Sequence, residues 1–259
     1  HLVDGENYLA AKVFKWTAAS WLEDQDFYRF HGIFRDVVLY RRPAVHAEDV
    51  KVSTVLADDF SSAQISLDVS LSGADASAGS VRATVTGHGL GDDAADGLAM
   101  TVTDDGRLTA TLEHPRLWSN EDPYRYEVTR EVLDGDGNVT EVIPQRVGLR
   151  RVEITDAILK VNGKRSVFAG VNRHEFGAHG RAMTAAEIEK DIQIIKRSGA
   201  NAVRTSHYPN SSVFYRLCDE YGLFVIDEMN LETHAMWDRI RCLGMPASEA
   251  FPGGRPECM

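Results

Sequence analysis

The rhythm of apolar and polar positions changes twice along the chain and divides it into three. In residues 1–43, Tyr8 to Trp16 alternates partly and Gly32 to Tyr40 is a second apolar stretch, ended by Arg41-Arg42-Pro43. Both stretches predict strands. Between them lies Trp21-Leu22-Glu23-Asp24-Gln25-Asp26-Phe27-Tyr28-Arg29, an acidic and aromatic loop. From Ala44 to about Val152 the period is two: Ala63, Ile65, Leu67, Val69 and Leu71, then Val81, Ala83 and Val85, then Leu108, Ala110 and Leu112, then Tyr124, Tyr126 and Val128. Breaks rich in glycine and aspartate separate these runs at Ser72-Gly73-Ala74-Asp75, Gly91-Asp92-Asp93, Asp104-Asp105-Gly106 and Asp134-Gly135-Asp136-Gly137. About seven short strands over roughly 100 residues predict an immunoglobulin-like β-sandwich. The aspartates lack the ligand spacing of a calcium loop and read as solvated turns.

From Glu153 the period changes again. Leu159-Lys160-Val161-Asn162-Gly163-Lys164 predicts a hairpin turning at Asn-Gly. Val167 to Val171 reads as a strand with Asn172-Arg173-His174-Glu175 at its C-terminal end. Thr184-Ala185-Ala186-Glu187 is a capping box, and the helix behind it places Ile188, Ile192 and Ile195 on one side before Gly199. Ala202 to Arg204 is a short apolar run, and Tyr208-Pro209-Asn210 is turn chemistry. Ser212 to Tyr221 puts Val213, Phe214, Leu217 and Tyr221 on one helical face, and Gly222 caps it. Leu223 to Ile226 is a continuous apolar run, as in a strand buried on both faces. The order β-α-β-α-β makes a right-handed parallel sheet. Arg204, His207, Asp227, Glu228, Glu232 and His234 then fall at or just after the C-terminal strand ends, where α/β barrels build their sites.

Composition narrows the function. A net charge of -11 argues against a nucleic-acid partner, which needs clustered Lys and Arg. The three cysteines, Cys218, Cys242 and Cys258, all sit late in the chain and make no disulfide framework, so a reducing, cytoplasmic setting is expected. No apolar run approaches the ~20 residues of a transmembrane helix, and no membrane partner is expected. The start lacks an initiator methionine and the basic and apolar regions of a signal peptide, so the chain reads as beginning partway through a longer protein.

The residues also carry a resemblance. Asn201-Ala202-Val203-Arg204-Thr205-Ser206-His207-Tyr208-Pro209, followed by Asp219-Glu220-Tyr221-Gly222 and an apolar strand, resembles the signature of glycoside hydrolase family 2. Trp21 to Val38 is similar to the end of the jelly-roll sugar-binding domain of the bacterial β-galactosidases in that family, and Arg116-Leu117-Trp118-Ser119 with Pro123-Tyr124 resembles a segment of its sandwich domain. The resemblance implies three parts: residues 1–43 as the C-terminal part of a jelly roll, 44–152 as the sandwich, and 153–259 as the N-terminal part of a (β/α)8 TIM barrel. A whole barrel takes about 250 residues, so the chain is expected to be a fragment lacking both termini.

The chemistry follows from the same resemblance. It implies hydrolysis, by a retaining mechanism, of terminal non-reducing β-D-galactose residues in β-galactosides such as lactose, by a homo-oligomeric parent. Asp26 matches a sodium ligand that also contacts the galactosyl group. His174 and His207 match two histidines that stabilise the transition state through sugar hydroxyls. Imidazole suits this because it donates from one ring nitrogen while the protein fixes the other. Glu232 and His234 match two ligands of Mg2+; the third is the acid/base glutamate. Arg204 is expected to brace Asp227 and Glu228. Retaining glycosidases need two carboxyl groups about 5–5.5 Å apart. In the family these lie on later strands, the acid/base in a Gly-Asn-Glu segment that this sequence lacks, so both are expected beyond Met259 and the chain alone is expected to be inactive. Two other readings stay open: a non-catalytic carbohydrate-binding relative, and a fragment of a β-glucuronidase. Against the second, an acidic Asp26 would repel a glucuronate.

Overall fold

The computed structural model of the chain describes residues 3–17, 19–23, 25, 28, 30–87, 97–234, 243, 244 and 246. Its largest core lies in a sandwich of two antiparallel sheets. The strands are β1 (His46–Leu56), β2 (Ser62–Ser72), β3 (Ser80–Thr86), β4 (Leu98–Ala99), β5 (Thr101–Val102), β6 (Leu108–Glu113), β7 (Tyr126–Leu133) and β8 (Val139–Val147). One sheet runs β1-β2-β6-β5 and the other β4-β3-β7-β8. Alternation decides which side chains face inward. Ile65 lies opposite Ala110 and Leu67 opposite Leu108 in register, and Ile65, Leu67, Val85 and Val128 are fully buried. The outer strands β1 and β8 carry weaker alternation because half their faces meet solvent, as at Val55 and Val142. Pro144 sits in β8, at a sheet edge where its missing N–H costs no ladder bond.

The first segment differs from the expectation. Among the described residues of 3–43 there is one short helix, α1 (Ala19–Glu23), and neither Tyr8–Trp16 nor Gly32–Tyr40 forms a strand. The start of the predicted acidic loop is thus helical. A strand persists only beside partners that take its hydrogen bonds and cover one face. Here Tyr8 and Leu39 are about nine-tenths exposed, at 90% and 89%, and no described strand lies alongside.

In the last segment β9 (Val152–Thr155), β10 (Ile158–Val161) and β11 (Lys164–Arg165) form a small antiparallel sheet. Its tight turn is the Asn-Gly pair, with φ of 51° at Asn162 and 73° at Gly163. A parallel sheet follows, built from β12 (Gly170–Arg173), β13 (Ala202–Thr205) and β14 (Phe224–Ile226) in that order. The helices α2 (Ala185–Arg197) and α3 (Ser212–Tyr221) connect them. Ile188, Ile192 and Ile195 of α2 pack with Val203, Phe214, Leu217 and Cys218.

Two expectations need correction here. The first strand starts at Gly170 rather than Val167, because the Asn201 side chain takes the backbone groups before it. Its amide donates to the Val167 carbonyl at 2.9 Å and its oxygen accepts from the Ala169 N–H at 2.9 Å. Nor is the third strand buried on both faces: Phe224 is buried while Ile226 is 44% exposed. Among the described residues the sheet has three strands and does not close.

The sandwich is tied to this sheet at Trp118. Its indole N–H donates to the Asp219 carbonyl at 2.8 Å, and its ring meets Phe224 edge-on at 5.6 Å. Nearby, Gly222 ends α3 at φ 69°, and a Cβ there would lie 2.5 Å from the Asn120 carbonyl oxygen. Only glycine satisfies both that backbone angle and that approach.

Candidate active site

The three parallel strands deliver polar side chains to one end. At the end of β12, Arg173 is buried and pairs with Asp191 of α2 at 3.0 Å, donates to Asn210 Oδ1 at 2.5 Å, and lies over the Phe214 ring at 5.0 Å. A buried guanidinium needs such a complete set of acceptors. It locks the end of β12 against α2 and the loop after β13.

His174 and Glu175 follow. Glu175 is buried at 3% exposure and is fully engaged. It accepts from the Ser211 N–H at 2.6 Å and from Arg35 of the first segment at 3.2 Å, while its own N–H donates to the Tyr208 hydroxyl at 2.9 Å. This carboxylate is a brace between segments. His174 stands edge-on to His207, ring centres 5.6 Å apart, and beside Phe176 at 5.2 Å. The two expected sugar-facing histidines are therefore neighbours.

His207 follows β13 after a cis Ser206–His207 peptide. Its Nδ1 lies 3.0 Å and 3.2 Å from the two oxygens of Glu228, and Arg204 donates to the same carboxylate at 2.8 Å. Asp227, expected as a second partner of Arg204, is held instead by the Thr205 hydroxyl at 3.0 Å and the Tyr215 hydroxyl at 2.6 Å. Asp227 and Glu228 follow the last residue of β14, and there the two adjacent carboxylates meet different partners. Burial, and donation to the Asp227 carboxylate, push the Tyr215 phenol up to about 12. Tyr208 is buried under the Arg181 guanidinium, 3.8 Å above its ring, and burial raises its phenol as well.

Glu232 and His234 lie further along the loop after β14. The loop is docked by two N–H groups, of Glu232 and Thr233, that donate to the Leu22 carbonyl at 2.9 and 3.0 Å. His234 Nδ1 is 3.2 Å from Glu232 Oε1. Glu232 Oε2 is shielded from solvent and meets no hydrogen-bond partner. A hydrogen-bond donor or a cation would satisfy that oxygen. Two ligands do not make a closed centre, and no group of three potential ligands is present among the described residues.

Asp26 lies outside the described residues. Its neighbour Gln25 is buried, and its amide donates to Asn230 Oδ1 and, at 3.3 Å, to the His207 carbonyl. Gln25, Arg35, Arg173, Arg181 and Tyr208 are site-building residues that the pattern of the chain did not single out. Gln25, Arg173 and Tyr208 stand inside the quoted motifs and could have been read there. Arg35 finds its partner far away in sequence and leaves no local signal. A cleft of about 260 Å³ opens beside Gln25, lined by Lys15, Trp16, Glu23, Tyr28 and Arg181 among others.

Comparison with known proteins places this arrangement. Residues 1–43 match the glycosyl hydrolases family 2 sugar binding domain, 45–150 match glycosyl hydrolases family 2, and 152–254 match the glycosyl hydrolases family 2 TIM barrel domain. The chain belongs to glycoside hydrolase family 2. Among family relatives, the β-galactosidase of Halalkalibacterium halodurans is 44% identical over 241 residues, which is 93% of this chain and 24% of the relative. The β-galactosidase of Streptococcus thermophilus is 44% identical over 268 residues, covering 100% of this chain and 25% of the relative. The chain thus spans about a quarter of the length of these curated relatives. Of solved family structures, β-glucuronidase 3 of Bacteroides uniformis superposes with a TM-score of 0.68 at 28% identity, covering 81% of this chain and 26% of that one.

Proposed function

We propose that this chain is the substrate-positioning part of a β-galactosidase, a retaining hydrolase of terminal β-D-galactosides such as lactose. The observation that carries this is the 44% identity to β-galactosidases across nearly the whole chain, against 28% to the β-glucuronidase. In this reading residues 1–43 belong to a jelly-roll sugar-binding domain, 44–152 to an immunoglobulin-like spacer, and 153–259 to a TIM barrel. His174 and His207 meet sugar hydroxyls, and Asp26 meets the galactosyl group and a sodium ion.

Glu232 and His234 are proposed as ligands of Mg2+. The shielded, unpartnered Glu232 Oε2 fits a hard cation, which prefers carboxylate oxygen. When bound, Mg2+ would hold a neighbouring carboxylate in place and lower its pKa. The two carboxylates that cleave the bond are proposed to come from the length of the relatives that this chain does not span. In support, Glu175, Asp227 and Glu228 are all engaged in hydrogen bonds that fix the strand ends.

The test is hydrolysis of an aryl β-galactoside by the native gene product, with the anomer first released read by NMR. The β anomer is expected, and the α anomer would contradict a retaining mechanism. The purified 259-residue chain should give no turnover, and turnover by it would show that the catalytic pair lies within these residues. Saturable galactose binding by a stably folded 259-residue chain, together with an inert native product, would favour the binding-module reading.

A further inference from the structure

We propose that the cleft between the β7–β8 face of the sandwich and α3 is a binding site for a phosphate-class oxyanion. The cleft measures about 590 Å³. Arg125 just before β7, Arg146 of β8 and Arg216 of α3 all line it, in a chain whose net charge is -11. A guanidinium carries five donors in a planar fork and no acceptor, which suits an anion rich in oxygen. These donors are only partly used. Arg125 and Arg216 share one oxygen, Glu220 Oε2, each at 3.5 Å. That is longer than the about 2.7–2.9 Å of a close charge-assisted hydrogen bond. The Arg125 side chain is only 11% exposed, so its charge is held deep in the junction. Among the described residues Arg146 has no carboxylate at ion-pair distance, although Glu127 stands opposite it in the register of β7 and β8.

Gln145 of β8 adds a donor whose orientation is forced. Arg130 is buried on the inner face of β7, and its Nη1 donates to Gln145 Oε1 at 2.7 Å. A guanidinium can only donate, so the amide must turn its oxygen to Arg130 and keep its NH2 for another partner. Gln145 also lines the cleft. Behind it, Arg130 Nε is shielded and meets no partner, and among the described residues no carboxylate pairs with that buried cation. Its charge adds to the positive potential of the cleft. The acids of the lining are Glu127 and Asp219. Asp219 stands 3.7 Å from Arg150, and burial raises its carboxyl above the usual range. Three forks on three separate elements favour a ligand with oxygens in more than one plane. A phosphate group has them, whereas a single carboxylate serves one fork. Bound there, it would tie β7 and β8 to α3, and so the sandwich to the parallel sheet.

The test is titration calorimetry of the native gene product at low ionic strength, with inorganic phosphate in one arm and an organic phosphate monoester in the other. Saturable binding is expected in both. Arg146→Gln and Arg216→Gln should each weaken it by at least about tenfold, since each removes a charged donor. Both side chains are exposed, so both variants should fold. Glu127→Gln should tighten binding by removing a like charge from the cleft. Arg107→Gln, a surface arginine outside the cleft that pairs with Asp105, should leave it unchanged. Phosphate should also raise the Tm of the unmodified protein and not that of Arg146→Gln. Binding of the ester alone would support the proposal and assign the site to phosphate esters. Absence of saturable binding in both arms overturns it. So does binding that Arg146→Gln and Arg216→Gln leave unchanged, or that Arg107→Gln weakens as much. None of these readings depends on turnover, so a failed galactosidase assay would leave them standing.

Discussion

The sandwich and the parallel sheet solve different problems with similar sequence material. In the sandwich, Ile65, Leu67, Val85 and Val128 bury against one another between two sheets. In the parallel sheet, Val203 is buried and Ala202 nearly so, yet Val171 and Ile226 on the flanking strands are 42% and 44% exposed. The sandwich carries charged pairs on its surface, as Arg82–Glu131 across β3 and β7, and buries Arg130 of β7 with its guanidinium donating to Gln145. The sheet gathers its charges at one end and binds them to each other. One region is built for stability and the other holds polar groups in fixed places. The lesson is that apolar content alone does not separate them; the fate of the polar residues does.

The comparison can be broken most severely at the junction. Trp118→Ala should cost about 3–5 kcal/mol, because it deletes a buried ring, its bond to Asp219 and its contact with Phe224. Urea unfolding should show a lower midpoint for the chain. Inside the sandwich, Ile65→Ala should cost about 2–5 kcal/mol by transfer and cavity terms. On the sheet edge, by contrast, Ile226→Thr should stay within about 0.5 kcal/mol, since the side chain already meets water.

At the charged end, Tyr215→Phe should cost about 1–3 kcal/mol, because it removes the bond to Asp227 and the acceptor of the Asn210 N–H. Its pH dependence has a definite sign. The folded phenol at about 12 lies above its ordinary 10.0, so this stabilisation is complete below 10.0 and is lost as pH rises towards 12. Unfolding midpoints across that window should fall more steeply for the unmodified chain than for Tyr215→Phe. The smallest effect is chemical. Burial pushes the Cys218 thiol up to about 12, so an alkylating reagent near neutral pH should leave it unlabelled in the native chain and label it in urea, as read on its peptide by mass spectrometry.

Much of this was legible where the signal is local. The Asn162-Gly163 turn, the Thr184–Glu187 capping box and the bounds of α3 with Gly222 behind it were all readable, because each depends on neighbours within a few residues. The clustering of polar residues at strand ends was legible too, from the β-α-β order. What escaped depends on distant partners. Asn201 shifts the first parallel strand by bonding backbone 32 and 34 residues away. The first segment looked like strands because alternation specifies a face, and alternation cannot say whether another strand lies beside it. The split of Asp227 and Glu228 between Tyr215 and His207 rests on partners 12 and 21 residues away.

The most direct test of the central claim is the ratio of kcat/KM for an aryl β-galactoside and the matching aryl β-glucuronide, measured on the native gene product. Efficient cleavage of the galactoside with the glucuronide essentially untouched is predicted. A preference for the glucuronide would contradict the account and assign the chain to the β-glucuronidases of the same family.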